Sequence, residues 1–79
     1  MLTLNKAGTK ALKAFLSANH KRGAQAYEGE LIDAWQYRVL SLKRDFPKGG
    51  MLLLAGHETK DYRPCSFKLD DSFFSGVKS

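Results

Sequence analysis

Glu30-Leu-Ile-Asp-Ala-Trp-Gln-Tyr-Arg-Val-Leu-Ser-Leu-Lys-Arg-Asp-Phe46 is the longest periodic segment of the chain. In it Leu31, Trp35, Val39, Leu42 and Phe46 recur at steps of four, four, three and four. At about 100° per residue these five and Ile32 share one arc roughly 100° wide. The spacing predicts a central helix over residues 30–46, with the only tryptophan on its core face. Everything else must pack on it or around it.

Upstream, Thr3 or Asn5 is placed to cap a first helix running from Lys6 to His20. Leu4, Ala7, Ala11, Leu12, Phe15, Leu16 and Ala18 take one side of that helix. Lys6, Lys10 and Lys13 fall within about 60° of each other on the opposite side. Gly8 costs about 1 kcal/mol relative to Ala and predicts a fraying first turn. Gly23 is a natural stop. Residues 24–29 read either as a short helix ending at Gly29 or as the start of the central helix. Glu28, Glu30 and Asp33 suit the amino end of the central helix, where the dipole favours negative charge.

Downstream, Phe46-Pro47 closes the central helix and Lys48-Gly49-Gly50 turns the chain. Met51–Gly56 reads as a strand and Tyr62–Leu69 as its antiparallel partner, with His57–Asp61 as the loop. Cys65, Phe67 and Leu69 alternate with Pro64, Ser66 and Lys68, and Pro64 argues for an edge position. Residues 70–79 read as a partly mobile tail whose last four residues are loose, with Phe73 or Phe74 folded back onto the core. The expected architecture is α+β: two or three N-terminal helices followed by a C-terminal β-hairpin, in one domain over residues 1–79.

A chain of 79 residues holds one small core and buries only about 60% of its unfolded surface. Cys65 is the only cysteine, which excludes an internal disulfide and fits a reducing compartment. No apolar run approaches the roughly 18 residues of a membrane span, and the amino end becomes polar too soon for a signal peptide. The expected setting is therefore soluble and cytoplasmic, with no membrane. The formal charge is +5 and the pI about 9.6. Residues 1–23 hold Lys6, Lys10, Lys13, Lys21 and Arg22 and no acid, whereas the rest of the chain is balanced. Such one-sidedness fits a basic surface facing a polyanion; a solvated helix face rich in Lys would look the same.

The residues offer little to catalysis. His20, His57 and Cys65 lack the spacing of metal ligands, so no metal and no cofactor is expected. Cys65 in a strand beside Phe67 reads as a small core residue rather than a nucleophile. Lys48-Gly-Gly50 lacks the spacing of a phosphate loop, and Asp70-Asp71 reads as solvated. No enzyme is expected.

The helix–hairpin order, the basic first helix, the turn-like Gly29 and the segment Tyr37–Pro47 together resemble a small winged-helix or helix-turn-helix DNA-binding domain. Such domains are common among phage and mobile-element regulators. The resemblance covers about residues 20–69. It departs from the pattern at Gln25, Glu28 and Arg38, and at Glu30 and Asp33, which would meet phosphates. It implies a module for nucleic acid, double-stranded DNA first, acting in transcription regulation. Lys6, Lys10, Lys13, Lys21 and Arg22 would contact phosphate, Gln36, Arg38, Lys43 and Arg44 would act from the second helix, and Lys60 and Arg63 from the wing. The competing expectation is a small phage-type inhibitor of a host enzyme or defence complex. It would use Tyr37, Leu40 and Arg44 on the outward face of the central helix, with Phe73 and Phe74. Homodimerisation through that face is compatible with either.

Overall fold

A computed structural model describes residues 1–77. The chain forms β1 (Thr3–Leu4), α1 (Lys6–Asn19), α2 (Glu30–Asp45), β2 (Met51–Leu54), β3 (Cys65–Lys68) and β4 (Phe74–Ser75). Short 3₁₀ turns occupy Gly23–Tyr27, Gly56–Glu58 and Asp71–Phe73. This is an α+β arrangement, two helices followed by the antiparallel β2–β3 hairpin. A second antiparallel pair joins the two ends: β1 lies beside β4, with Leu4 opposite Phe74.

Asn5 starts α1 as expected, its side-chain oxygen accepting the Gly8 N–H at 2.8 Å. The same side chain donates to the Ser72 carbonyl at 2.9 Å, so the cap also ties α1 to the C-terminal segment. The first turn is held. Gly8 is buried against Phe73 and Leu4, and a Cβ there would stand 2.6 Å from Leu4 Cδ1 and 2.9 Å from Phe73 Cβ. Glycine is present for close approach, which local propensity could not reveal. The helix stops before Gly23: His20 turns extended, and Gly23 (φ +56°) opens the 3₁₀ turn that follows.

The core combines Leu12 and Leu16 of α1 with Ala26, with Ile32, Trp35 and Val39 of α2, and with Leu52, Leu54, Leu69 and Phe74. In α2 the buried line runs Ile32, Trp35, Val39 and Lys43, while Leu31 and Leu42 are half-buried. Phe46, expected on this stripe, is 57% exposed. It is the C-cap, with φ −129° and ψ 69°, and has left the helical phase. Gly29 opens α2 at φ +56° with nothing near its Cβ position, so the requirement there is backbone conformation alone.

The hairpin pairs Leu52 with Phe67 and Leu54 with Cys65 on the core face, and Met51 with Lys68 and Leu53 with Ser66 on the outer face. Its connection is longer than the expected five-residue loop. Tyr62 and Pro64, read as strand, belong to it, because Tyr62 sits at φ +56° and β3 begins only at Cys65. The C-terminal segment, expected as a tail, carries a 3₁₀ turn and β4, and Phe73 stacks on Phe67 at 5.5 Å. The looseness expected of the last residues concerns in part Lys78 and Ser79, which lie outside the described residues.

Candidate nucleic-acid interface

α1 is built without a single acid, and its outward side presents Lys6, Lys10 and Lys13, all exposed. Steps of four and three keep them on one side of the helix, each about 5–6 Å further along the axis. They border a shallow depression of about 450 Å³ with Leu4, Asn5 and Thr9.

Residue 17 falls on the same arc, and there the structure adds a cation from elsewhere. Lys60, in the connection after β2, donates its ammonium to the Ser17 carbonyl at 2.6 Å. The backbone fixes this approach: Lys60 N–H donates to Asn19 O at 3.0 Å, Lys21 N–H donates to Glu58 O at 2.5 Å, and His20 bridges Thr59. Three lysines near in sequence and one remote from them thus form a single row.

Lys21 and Arg22 are exposed just beyond the helix, and Lys21 Nζ lies 5.0 Å from the centre of the Tyr62 ring. Arg63 is exposed beside Tyr62 in sequence. The carboxylates of Glu58 and Asp61 occupy the same connection. Among the described residues, ion pairs are Lys43–Asp71 and Arg44–Asp45, so the row of α1 has no acidic partner there.

The remaining candidates stand differently. Lys43, expected to face phosphate, is 2% exposed. Its ammonium donates to the Leu69 carbonyl at 3.2 Å and to the Asp71 carboxylate, and it lies 5.6 Å from the centre of the Phe74 ring. It fastens α2 to the C-terminal segment, and its charge is engaged within the fold. Gln36 is half-buried, and Arg38 rests over the Trp35 ring at 5.0 Å. Arg44 is exposed, pairs with Asp45 at 3.6 Å, and lines a separate cleft of about 770 Å³ with Lys48, Leu2 and Val77.

Of the protein-contact candidates, Tyr37 is 73% exposed and Leu40 half-buried against the core. Phe74, expected as a contact residue, is 6% exposed, and Phe73 is half-buried. Folding onto the core takes Phe74 out of any contact surface. The side chain that residue reading missed is Tyr62, absorbed there into a strand. The available signal was its company: an aromatic set between Lys60-Asp61 and Arg63-Pro64.

Two titrations are shifted near this region. Burial pushes the His20 imidazole below its ordinary value, Arg22 adding to the shift and Glu58 opposing it. Burial, then Asp61, pushes the Cys65 thiol up, away from the thiolate. His, Cys, Asp and Glu form no group of three suited to a metal ion among the described residues. No helix of the described residues is long and apolar enough to cross a membrane. No family, no curated protein and no solved structure matches this chain.

Proposed function

We propose that this chain is a small nucleic-acid-binding module that contacts phosphate through the outward row of α1. A regulator of phage or mobile-element type, as the resemblance implies, is the setting proposed with it. The observation that carries the reading is the row itself: Lys6, Lys10 and Lys13 on an acid-free helix, continued by the Lys60 ammonium on Ser17. A linear set of cations without acidic partners is what a polyanion backbone needs.

The reading shifts weight from the second helix to the first. The exposed side of α2 begins with Glu30 and Asp33, Lys43 is buried, and Arg38 is engaged with Trp35. The connection between the helices spans residues 20–29 and contains a 3₁₀ turn, whereas a helix-turn-helix joins its helices by three or four residues. Phosphate contact from α1 requires none of that geometry.

The test is fluorescence anisotropy of the protein against a labelled duplex between about 50 and 200 mM salt. Four contacted phosphates give a log–log slope of about −4. Replacing Lys6, Lys10 and Lys13 together by Gln should weaken low-salt binding and flatten the slope toward about −1. Absence of binding at low salt to both this duplex and a labelled single strand, or an affinity indifferent to salt, overturns the reading. It would move attention to the 73%-exposed Tyr37 and a protein partner.

A further inference from the structure

Tyr62 is the one described non-glycine residue with a positive φ, at +56°. A bulky side chain is strained there and keeps that conformation only where its surroundings enforce it. The surroundings do so. A Cβ on Gly56 would stand 2.8 Å from the Tyr62 carbonyl, so the chain crosses itself closely at this point. The Tyr62 N–H donates to the Thr59 carbonyl at 3.3 Å, and Thr59, 3% exposed, donates its hydroxyl to Gly56 O at 2.9 Å. The backbone bonds to Asn19 and Lys21 anchor the connection to the end of α1.

The result of this enforcement is a ring held outward. Tyr62 is 65% exposed, and the Lys21 ammonium lies 5.0 Å from the ring centre. The ring stands in the connection anchored to the end of α1, two residues in sequence from Lys60, whose ammonium rests on the Ser17 carbonyl.

We infer that Tyr62 is a stacking platform for an unpaired base, so that the ligand is single-stranded nucleic acid whose backbone follows the α1 row. This rests on the phosphate-binding reading of that row and adds the class of ligand. A straight series of cations ending in an exposed aromatic matches how single strands are held. The backbone is tracked by charge, and bases stack on rings with little regard for sequence. A duplex offers no free base face to Tyr62, since its bases stack on each other. The Glu58 and Asp61 carboxylates of the same connection leave Lys21, Arg22, Lys60 and Arg63 in excess, so the local charge still favours phosphate.

Anisotropy titrations of the full chain with a labelled twelve-residue oligothymidine and with a duplex of equal length test this. The single strand should bind more tightly at equal salt. Tyr62→Ala should lose about ten-fold for the single strand and little for the duplex, and Tyr62→Phe should keep the affinity. Tyr62→Gly relieves the strained backbone. It should hold or raise the melting temperature and still lose single-strand affinity, which separates contact from folding. Salt-dependent binding of both ligands that Tyr62→Gly leaves unchanged overturns this inference and spares the phosphate row. Equal losses for both ligands, together with a lowered melting temperature, assign Tyr62 a structural role and overturn it as well. No binding of either ligand by the unaltered protein overturns the row and the platform together.

Discussion

Gly8 separates what a residue prefers from what its place demands. In a helix interior alanine is favoured over glycine by about 1 kcal/mol, so propensity alone predicts that Gly8→Ala stabilises the domain. The structure reverses the sign, because the added methyl would meet Leu4, the Phe73 side chain and the Phe73 carbonyl. Leu4 belongs to the strand pair that closes the chain ends, Phe73 immediately precedes its second strand, and the Phe73 carbonyl already accepts the Asn5 N–H at 3.0 Å. Gly8→Ala should therefore destabilise by about 1–3 kcal/mol, an overpacking cost larger than the propensity gain. Chemical denaturation followed by circular dichroism measures it. A midpoint raised by the substitution would show that the α1–Phe73 contact yields easily. Residue-level reading found the helix and missed this, since a close approach across more than sixty residues leaves no local mark.

At the scale of elements, the periodic helices and the alternating hairpin were legible, and the way α2 is fastened was not. Apolar spacing located α2 to within a residue at its C-terminal end, and Gly29 and Pro47 marked its limits. It also put Phe46 inside and Lys43 outside, and the structure exchanges them. Lys43 takes a core position because its ammonium reaches a carbonyl and a carboxylate of the C-terminal segment, while its stem lies along the buried face. No pattern in residues 30–46 states that such partners exist. The arrangement makes an uneven pair of predictions. Asp71→Asn should cost roughly 1 kcal/mol, a modest figure because the carboxylate is 72% exposed, and because Lys43 keeps the Leu69 carbonyl. Lys43→Met should be nearly neutral, since removing a buried ammonium also removes its desolvation cost. Thermal melts of the two variants compare them, and a larger loss for Lys43→Met than for Asp71→Asn would contradict this account. The candidate interface divides the same way. Its three α1 lysines follow from spacing, whereas Lys60 and Tyr62 join them only through the folded connection after β2.

The whole molecule is held together where segments distant in sequence meet, and His20 lies at one such point. It closes α1, sets its ring edge-on to Trp35 of α2 at 5.4 Å, and bridges Thr59 of the connection that carries Lys60 and Tyr62. Its Nδ1 accepts the Arg22 N–H at 3.2 Å, so the bound form is the neutral imidazole with its proton on Nε2. Only 8% of the residue is exposed, and burial lowers its pKa below the ordinary 6.5. The unfolded chain then binds the proton more readily than the folded one, so stability rises with pH across the interval between the two values. The contribution is complete above pH 6.5 and is lost as pH falls through the lower, folded value. Asp70 is shifted down as well, chiefly by the Ser72 N–H, and being a carboxylate it acts in a separate, more acidic window. Denaturation midpoints should therefore decline as pH falls below the ordinary 6.5, before the carboxylates titrate. His20→Gln should flatten the profile over that interval while lowering the midpoint at neutral pH. A wild-type profile already flat there would mean that the imidazole protonates without leaving Trp35 and Arg22. The junction of α1, α2 and the connection would then owe its stability to packing alone.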